Sequence, residues 1–484
     1  MFFTALAAVL IVAVASAIAL VVALPALSKR IIQGLLTRPM SDTLAELYVS
    51  SRSTPPMDFL YSSLRSNSGE VVIRPLGSAR PAHGFDDLAM VPAQLARRPV
   101  LDTEPVELAV TLGRRARKPL LISMPLYISG MAYGLALTKE ARLGLAKAAG
   151  RSQIPLNSGQ GPFLEEERKL SSHYILQYGR WTWNRDPAII QQANMIEIQV
   201  GQGAMPGNAV IASPTEVAPD IKRLMHLGPN ERPIIHADLF IEDPKNPSRL
   251  RDVVEHLRSI TDGVPIALKM GAGDHLERDL DIALDAQVDT IVIDGTEGAT
   301  GNAPITLSDH FGIPSLMALA RAVRHLQNTH TRDDVDLLIS GGFREPGDFL
   351  KAYAMGADAV GLGTIAMFAL AHYQITKAVP FYPPTDLVFY RSQPKIPLDP
   401  EKAALGLYHF LESCRKEMEI AIRTAGHTSV RDLSLADLCA LDRDIADITG
   451  AHYAGFPPRD DTPEQTRRET SPDVNRREGV PLLQ

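Results

Sequence analysis

The sequence predicts an α/β protein in which eight parallel strands close into a barrel. Between Pro119 and Thr364, short apolar runs rich in branched residues alternate with segments of helical periodicity. Strands that alternate with helices form a parallel sheet, and eight such units in about 250 residues have the size of a (β/α)8 barrel, or TIM barrel. A doubly wound open sheet would alternate in the same way, but no GxGxxG motif follows an early strand. We therefore expect the closed barrel.

Eight short apolar runs are the candidate strands of this barrel. Between them, apolar residues recur with a helical period at 250–260 and at 276–284, which predicts two of the intervening helices. The stretch Ser213–Glu216 combines a capping residue, a proline and a glutamate in the order typical of a helix start. The predicted strands are Pro119–Ser123, Gln153–Gly159, Met195–Gly201, Pro233–Leu239, Val264–Met270, Asp289–Gly295, Val335–Gly342 and Ala357–Gly363.

The first residues depart from this globular pattern. The stretch Phe2–Leu27 carries no charge, and as a helix it would exceed the ~30 Å hydrocarbon core of a bilayer. Lys29, Arg30 and Arg38 follow it, which predicts that its C-terminal side faces the cytoplasm. We expect a single-pass membrane anchor over residues 1–28, with the barrel on the cytoplasmic side. A buried core helix and a cleaved signal peptide stay open as alternatives.

The remaining chain divides into an extension on either side of the barrel and a tail. Residues 405–426 predict a helix that packs on the barrel. Residues 456–484 are charged and contain prolines but few apolar side chains, which is typical of a disordered tail. The predicted domains are the transmembrane anchor at 1–28, an N-terminal extension packing on the barrel at 29–118, the barrel at 119–374, a C-terminal helical extension at 375–455 and the tail at 456–484.

Composition argues against several classes of protein. The net charge is −7 and the sequence has no dominant basic face, so we expect no nucleic acid as partner. The two cysteines, Cys414 and Cys439, form no CxxC motif and cannot build a disulfide framework. We therefore expect no metal site.

Glycines mark the ends of the last two predicted strands. Gly341 and Gly342 end strand seven, while Gly361, Gly363 and Thr364 end strand eight. In a TIM barrel these ends carry the active site, and the loops after strands seven and eight often bind phosphate. Glycine lets backbone N–H groups approach an anion closely, and the following apolar helix would direct its N-terminal dipole at that anion. The alternative is that these glycines only end strands at tight turns.

A lysine within an apolar strand predicts a second part of the site. Lys269 lies at the carboxyl end of strand five, where an unpaired buried ammonium would be costly, so we expect it to meet an anion. A reduced flavin is such an anion. Gln202, just past a predicted strand, can offer an amide hydrogen bond to a ring edge or to a substrate. A structural salt bridge is the alternative role for Lys269.

Five stretches resemble motifs of a known family, the FMN-binding synthase domain of glutamate synthase. They follow one another in the family's order and are spread over most of residues 120 to 365. The QGAMPG and GATGNAP segments are the most specific of them. The five stretches are Ile128–Ala141, Asn157–Pro162, Tyr178–Trp183, Ile196–Gly207 and Ile293–Pro304.

The resemblance implies a TIM barrel that binds FMN non-covalently at its mouth. By match to the family motifs, Met131, Ala132 and Tyr133 would line the isoalloxazine, and Gln202 and Lys269 would approach the ring as catalytic residues. The glycines that end strands seven and eight, with the threonine after them, would hold the phosphate. In the family, reduced flavin delivers a hydride to 2-iminoglutarate, which forms from 2-oxoglutarate and ammonia. The candidates for the substrate side are Arg180, Gln160, Glu297 and Thr300.

The sequence also departs from the family pattern. The three cysteines of the family's iron–sulfur cluster are missing after strand eight, and we expect no glutaminase domain, so the electron donor and the ammonia source are unknown. Met205 and Gln160 replace a lysine and a glutamate of the family motifs, which removes two charges near the expected substrate. The substrate prediction is therefore a small amino, imino or keto acid.

Two other functions remain open at this stage. The stretch from Gly341 to Gly363 is also similar to FMN-dependent 2-hydroxy-acid oxidases. Those enzymes have a histidine base in the loop after strand six, where this chain has DGTEGATG. A flavin-binding scaffold without turnover would also fit the missing cysteines and the two lost charges.

Overall fold

The structure is a computed structural model and describes residues 23–40, 45–179, 181, 183–203, 210–211, 217–235, 248–298, 303–392 and 395–458. The chain divides into two compact units, Met1–Val72 and Ile73–Gln484. The described residues of the first unit include a helical run at 23–37 and the helices Ala45–Ser53 and Pro56–Ser68. The second helix starts on a proline and ends at Gly69, which adopts the left-handed conformation of a helix C-terminus.

The second unit is built around a closed barrel of eight parallel strands, paired in chain order with the last strand next to the first. This confirms the predicted barrel. All eight strands are buried over most of their length, because helices cover the outside and side chains fill the inside. The strands are β1 (Leu126–Ile128), β2 (Pro155–Asn157), β3 (His173–Tyr178), β4 (Met195–Gln199), β5 (Ile266–Gly271), β6 (Thr290–Asp294), β7 (Asp336–Ser340) and β8 (Ala359–Leu362).

Helices follow the strands around the barrel and bury one apolar face each. For example, the helix after β1 begins at a Thr138 cap, whose side chain accepts a hydrogen bond from the Ala141 N–H, and it buries an alanine-rich face. The helices are α1 (Lys139–Ser152), α2 (Glu165–Leu170), α3 (Pro187–Ile190), α4 (Pro219–Leu224), α5 (Ser248–Ile260), α6 (Leu276–Asp285), α7 (Ile305–His310), α8 (Ser315–Asn328), α9 (Pro346–Ala354), α10 (Thr364–Ala371), α11 (Pro400–Thr424) and α12 (Arg443–Thr449).

Two predicted barrel strands lie outside the barrel. Leu120–Ile122, from the first predicted strand, pairs antiparallel with Val110–Leu112, and Leu121 between its buried neighbours is exposed. Such alternation is typical of a half-buried antiparallel strand. Ile234–Ile235, from the fourth predicted strand, pairs antiparallel with Val210–Ile211. The prediction that these two segments are barrel strands was wrong.

The two strands that the sequence did not reveal are β1 and β3. The first has only three residues, and the second contains His173, Gln177 and Tyr178, which interrupt the apolar pattern expected of a buried strand. Gln177 lines the barrel cavity, and this polar side chain interrupts the apolar pattern by which the strand would be recognised. The prediction missed two barrel strands and included two strands that lie outside the barrel, so the predicted number of eight was nevertheless correct.

The segments that flank the barrel pair with each other. Leu88–Met90 pairs antiparallel with Leu438–Ala440, and His452–Tyr453 adds a third strand. The helix α11 covers α1 and α10, close to the predicted helix at 405–426.

No helix in the described part of the chain is long and apolar enough to cross a membrane. The described helical run at the N-terminal end covers residues 23–37 and carries Lys29 and Arg30 near its middle. The described residues therefore offer no membrane-spanning helix. This corrects the predicted transmembrane anchor at 1–28, and with it the predicted membrane partner and single-pass localisation. Residues 1–22 of that prediction lie outside the described residues.

Two further predictions fall wholly or largely on residues that are not described. The predicted helix start at Ser213–Glu216 lies wholly outside the described residues, and the described helix α4 begins at Pro219. Of the predicted tail at 456–484, the structure describes only residues 456–458.

Candidate active site

A cavity of about 630 Å³ opens at the carboxyl ends of the barrel strands. Its walls come from the loops after β1, β2, β4, β6, β7 and β8 and from side chains at the ends of β3 and β5. Two segments from outside the barrel complete it, namely residues 76–86 on one side and Phe389 with Arg391 on the other. Ligands of TIM barrels bind at this end, so the cavity is the candidate active site.

Lys269 and Asp294 form a buried ion pair in the wall of the cavity. They stand on the neighbouring strands β5 and β6, and Lys269 Nζ lies 3.6 Å from Asp294 Oδ2. Burial by itself would lower the pKa of Lys269, but the carboxylates of Asp294 and Glu197 outweigh it and hold the pKa above its usual value. The lysine therefore favours its charged form at the cavity wall, and its pair with Asp294 is the salt bridge that the sequence left open as an alternative.

Hydrogen bonds fix the carboxylate of this pair. Asp294 Oδ1 accepts a hydrogen bond from Ser340 Oγ at 2.6 Å, and Oδ2 accepts one from the Gly203 N–H at 2.9 Å. Asp294 is thus tied to both β7 and the loop after β4. Because its oxygens are already bonded, Asp294 orients the lysine and leaves the ammonium group available to a ligand.

Side-chain amides form a second polar group beside the ion pair. The Gln160 amide donates to Gln199 Oε1 at 2.6 Å, and the Gln199 amide donates to Gln202 Oε1 at 2.9 Å. Next to them, Glu197 Oε1 accepts hydrogen bonds from Asn157 at 2.8 Å and from Gln177 at 2.7 Å. The side chains of this wall that line the cavity, Gln160, Gln177 and Gln202, therefore offer neutral donors and acceptors.

Gln177 Oε1, on β3, and Asp348 Oδ1, on α9, are buried polar atoms of cavity-lining residues that have no hydrogen-bond partner among the described residues. The Ser129 hydroxyl, just after β1, interacts with the Tyr127 hydroxyl. A buried polar atom without a partner is costly, so Gln177 Oε1 indicates a polar ligand on the β3 side of the cavity.

The glycines after β7 and β8 form the opposite end of the cavity. Gly341 and Gly342 have φ angles of 111° and 79°, which L side chains rarely adopt. A Cβ on Gly342 would lie 2.9 Å from Glu297 Cβ, whereas a Cβ on Gly363 would meet no atom within 4 Å. Gly363 directly precedes α10, so its open side exposes the first N–H groups of that helix, which begins with Thr364.

Gly361 has a different role from Gly363. A Cβ at Gly361 would lie 2.5 Å from Ser129 Oγ and 2.6 Å from the Tyr127 hydroxyl. This glycine lets β8 approach β1 closely, and only Gly363 faces open space. The N–H groups at Gly363 and Thr364 are the better anion site.

Glu297 lines the cavity but is bonded to the start of α8. Its Oε2 accepts hydrogen bonds from the Ser315 N–H at 2.9 Å and from Ser315 Oγ at 2.8 Å. Burial raises the pKa of Glu297 above its usual value, although the bonds from Ser315 act in the opposite direction. The geometry therefore makes Glu297 a cap of α8 that also borders the cavity.

Most of the predicted site residues meet at this cavity. Tyr133 does not line it and packs instead with Trp181 and Ile221 in a separate small apolar cluster, where burial raises its pKa to about 12. Arg180 and Thr300 lie outside the described residues. The predicted residues that line the cavity are Met131, Ala132, Gln160, Gln202, Lys269, Glu297, Gly341, Gly342, Gly361, Gly363 and Thr364.

Two arginines at the cavity were not identified from the sequence. Arg344 follows the Gly341–Gly342 pair by two residues, and this adjacency was the available signal. Arg391 arrives on a segment that pairs with the loop after β1, where the Tyr390 N–H donates to the Ala136 carbonyl at 2.8 Å. No local pattern marks Arg391, because only the fold brings its segment to the barrel mouth.

Comparisons with known proteins agree with the sequence resemblance. Residues 88–423 match the family model described as "conserved region in glutamate synthase". The chain is 29% identical over 431 residues to a glutamate synthase large subunit-like protein of Rhizobium meliloti, covering 83% of this chain and 96% of that protein. It is 30% identical over 328 residues to the archaeal-type glutamate synthase [NADPH] of Dehalococcoides mccartyi, covering 63% of this chain and 64% of that protein.

Among solved structures, the chain is similar to a flavocytochrome b2 variant with sulfite bound. The identity is 15% and the TM-score is 0.48, with 88% of this chain and 96% of the other chain covered.

Proposed function

Because the chain belongs to the glutamate synthase family, whose conserved region its residues 88–423 match, we propose that it reduces an imino acid with FMN bound in the barrel cavity. The synthase domain of this family binds FMN, and its members are oxidoreductases. The substrate and the reaction are our proposal.

The observation that carries the proposal is the division of the cavity into two chemically different ends. One end presents the N–H groups around Gly363 and Thr364, which suit a phosphate. The other end presents the ammonium group of Lys269 and the unpartnered Gln177 Oε1, which suit a polar ring. FMN carries a phosphate at one end and the isoalloxazine ring at the other, so the residues present fit this cofactor.

When bound, reduced FMN supplies a hydride, and the C=N bond of an imino acid would take up this hydride and a proton to become an amine. The residues at the ring end support this chemistry through charge. The positive charge of Lys269 stabilises negative charge on a nearby reduced ring, and Asp294 keeps that lysine oriented. The amides of Gln202 and Gln160 would orient the substrate by hydrogen bonds.

The substrate side contains amides and an arginine. Gln160 is neutral where the family motif has a glutamate, so this wall does not repel a carboxylate. Arg391 borders the cavity near the loop after β1, where the resemblance places the isoalloxazine. A guanidinium can hold a carboxylate by two parallel hydrogen bonds. We therefore propose Arg391 as a carboxylate-binding residue and a 2-keto acid, in its imino form, as the substrate class. Arg180 and Thr300 remain candidates for the same side.

A 2-hydroxy-acid oxidase is less well supported. Such an enzyme needs a base beside the flavin to take the proton of the hydroxyl group. Among the described residues that line the cavity there is no histidine, and Glu297 is engaged by Ser315.

The experiment that tests the proposed function is anaerobic mixing of the photoreduced protein with keto acids. Flavin absorbance should recover when a 2-keto acid and ammonia are added together, and should stay low when either is omitted. Bleaching of the oxidised flavin by a 2-hydroxy acid would instead identify the oxidase. A reduced flavin that none of a broad panel of acids reoxidises would identify a scaffold without turnover.

A further inference from the structure

Residues 76–86 form a cover segment over the phosphate end of the cavity, held at both ends by ion pairs. Before it, Arg74 Nη1 lies 2.9 Å from Asp309 Oδ2, and the Ser78 hydroxyl also donates to this carboxylate. Inside it, Phe85 packs on Phe343 with ring centroids 4.9 Å apart. The members that line the cavity are Leu76, Ser78, Ala82, Gly84, Phe85 and Asp86.

The second ion pair joins the cover segment to the loop after β7. Arg344 Nη2 donates to both carboxylate oxygens of Asp86, at 2.8 Å each. Both residues line the cavity, and Arg344 follows Gly341 and Gly342 by two positions. The same guanidinium therefore borders the phosphate end and binds a carboxylate of the cover.

Two other charged side chains lie near Arg344, namely Asp348 and Lys351. Asp348 Oδ2 lies 3.5 Å from Arg344 Nε, and its Oδ2 also accepts from the Arg344 backbone N–H at 3.2 Å. Lys351 on the same helix donates to the Phe85 carbonyl at 2.9 Å. Asp348 is buried on α9, whereas Asp86 is largely exposed on the cover segment. Another anion can therefore displace Asp86 from Arg344 more easily than it can displace Asp348.

We propose that Asp86 lowers the affinity of the cavity for a phosphate-bearing ligand, because it shares Arg344 with that phosphate. This inference rests on the proposed function, in which the ligand is FMN. A phosphate on the glycine end would bring negative charge towards a guanidinium that already neutralises Asp86, and the two anions repel each other. Binding of the phosphate to Arg344 therefore weakens the attachment of the cover segment, and attachment of the cover segment weakens the binding of the phosphate.

The test compares FMN with riboflavin, which has the same ring but no phosphate. The full-length protein and its Asp86→Asn variant are titrated with each flavin, and binding is followed by quenching of flavin fluorescence. We expect Asp86→Asn to raise the affinity for FMN relative to riboflavin about two- to fivefold, the range of an exposed ion pair. Arg344→Gln should lower the affinity for FMN more than the affinity for riboflavin.

Two controls separate this effect from loosening of the cover and from a change of net charge. Asp309→Asn removes the carboxylate at the other anchor of the cover and should change the affinities for FMN and riboflavin alike. Asp262 lies on the loop before β5, at the opposite end of the barrel, and its exposed carboxylate pairs with Lys118. Asp262→Asn should change neither the affinity for FMN nor the affinity for riboflavin.

The outcomes are distinguishable. If Asp86→Asn changes the affinities for both flavins by the same factor, Asp86 acts only by holding the cover, and the inference is overturned; two unchanged affinities overturn it as well. If the parent protein binds neither flavin, the proposed function fails and the inference fails with it.

Discussion

Lys269 Nζ lies 3.6 Å from Asp294 Oδ2, and both side chains are more than nine-tenths buried. Removing both charges from water is costly, and a well-packed apolar pair would serve stability at least as well. The pair is therefore better explained by a ligand that uses the positive charge than by the stability of the barrel. In the proposed function that ligand is the ring of FMN.

Replacement of Lys269 tests this role. Lys269→Met should abolish FMN binding and also destabilise the protein by about 3–5 kcal/mol, because Asp294 is left as an unpaired buried charge. The double variant Lys269→Met/Asp294→Asn should recover most of the stability but not the flavin. Urea unfolding and flavin content after gel filtration measure the two effects. Full flavin in the double variant would show that the ammonium group has no part in binding.

A methyl group at Gly342 should disturb the phosphate end of the cavity. The residue has a φ of 79°, and a Cβ there would lie 2.9 Å from Glu297 Cβ. We expect Gly342→Ala to weaken FMN binding about tenfold or more. The matched control is Gly347→Ala on α9, where the nearest atom to the new Cβ is 3.7 Å away. Equal FMN affinity in the two variants would contradict the assignment of the phosphate loop.

Arg391 should determine the affinity for the carboxylate of the substrate. Arg391→Met removes a charge-assisted pair of hydrogen bonds, so KM for the keto acid should rise about tenfold or more while the flavin stays bound. Arg391→Lys should recover part of the loss, since it restores charge but not the planar fork. Steady-state kinetics with an excess of ammonia measures both. An unchanged KM in Arg391→Met would assign the carboxylate to another residue.

Glu297 should make the stability of the fold depend on pH. Because burial raises its pKa, the stabilising contribution of its neutral form is present below the unfolded pKa and is lost as pH rises through the folded pKa. Glu297→Gln imitates the neutral form, so its Tm relative to the parent protein should be higher at about pH 8 than at about pH 4.

The control for this prediction has the opposite sign. A hydrogen bond from Arg321 lowers the pKa of Glu277 from 4.5 to about 2, so its contribution is present above the unfolded pKa and is lost as pH falls through the folded pKa. The Tm of Glu277→Gln relative to the parent should therefore be lower at about pH 8 than at about pH 4. Parallel pH profiles for the two variants would refute the raised pKa of Glu297.

The barrel was predictable because its later strands follow simple rules. β5 to β8 are apolar runs separated by helices with clear periodicity, so their residues show both the element and its burial. β3 was missed because Gln177 faces the cavity, and function there overrides the apolar pattern. The N-terminal anchor was predicted from length and charge alone, and the described residues contain no helix that meets those requirements.

The site residues were predictable only where a residue is unusual for its place in a predicted strand. Lys269 is conspicuous as a lysine within an apolar strand, and the glycines after β7 and β8 are conspicuous by repetition. The pairing of Arg344 with Asp86 carries no such mark, because the two residues are 258 positions apart and only the folded chain brings them together. The same holds for Arg391, whose segment reaches the cavity by pairing with the loop after β1.

The central claim is that this barrel holds FMN with its phosphate at the glycine end. The most direct test is mass spectrometry of the small molecule released when the purified protein is denatured, together with its amount per chain. The account predicts FMN at a ratio near one per chain, either as purified or after incubation with FMN. A colourless protein that takes up no FMN would contradict the assigned cofactor, and with it the proposed phosphate end, ring end and reaction.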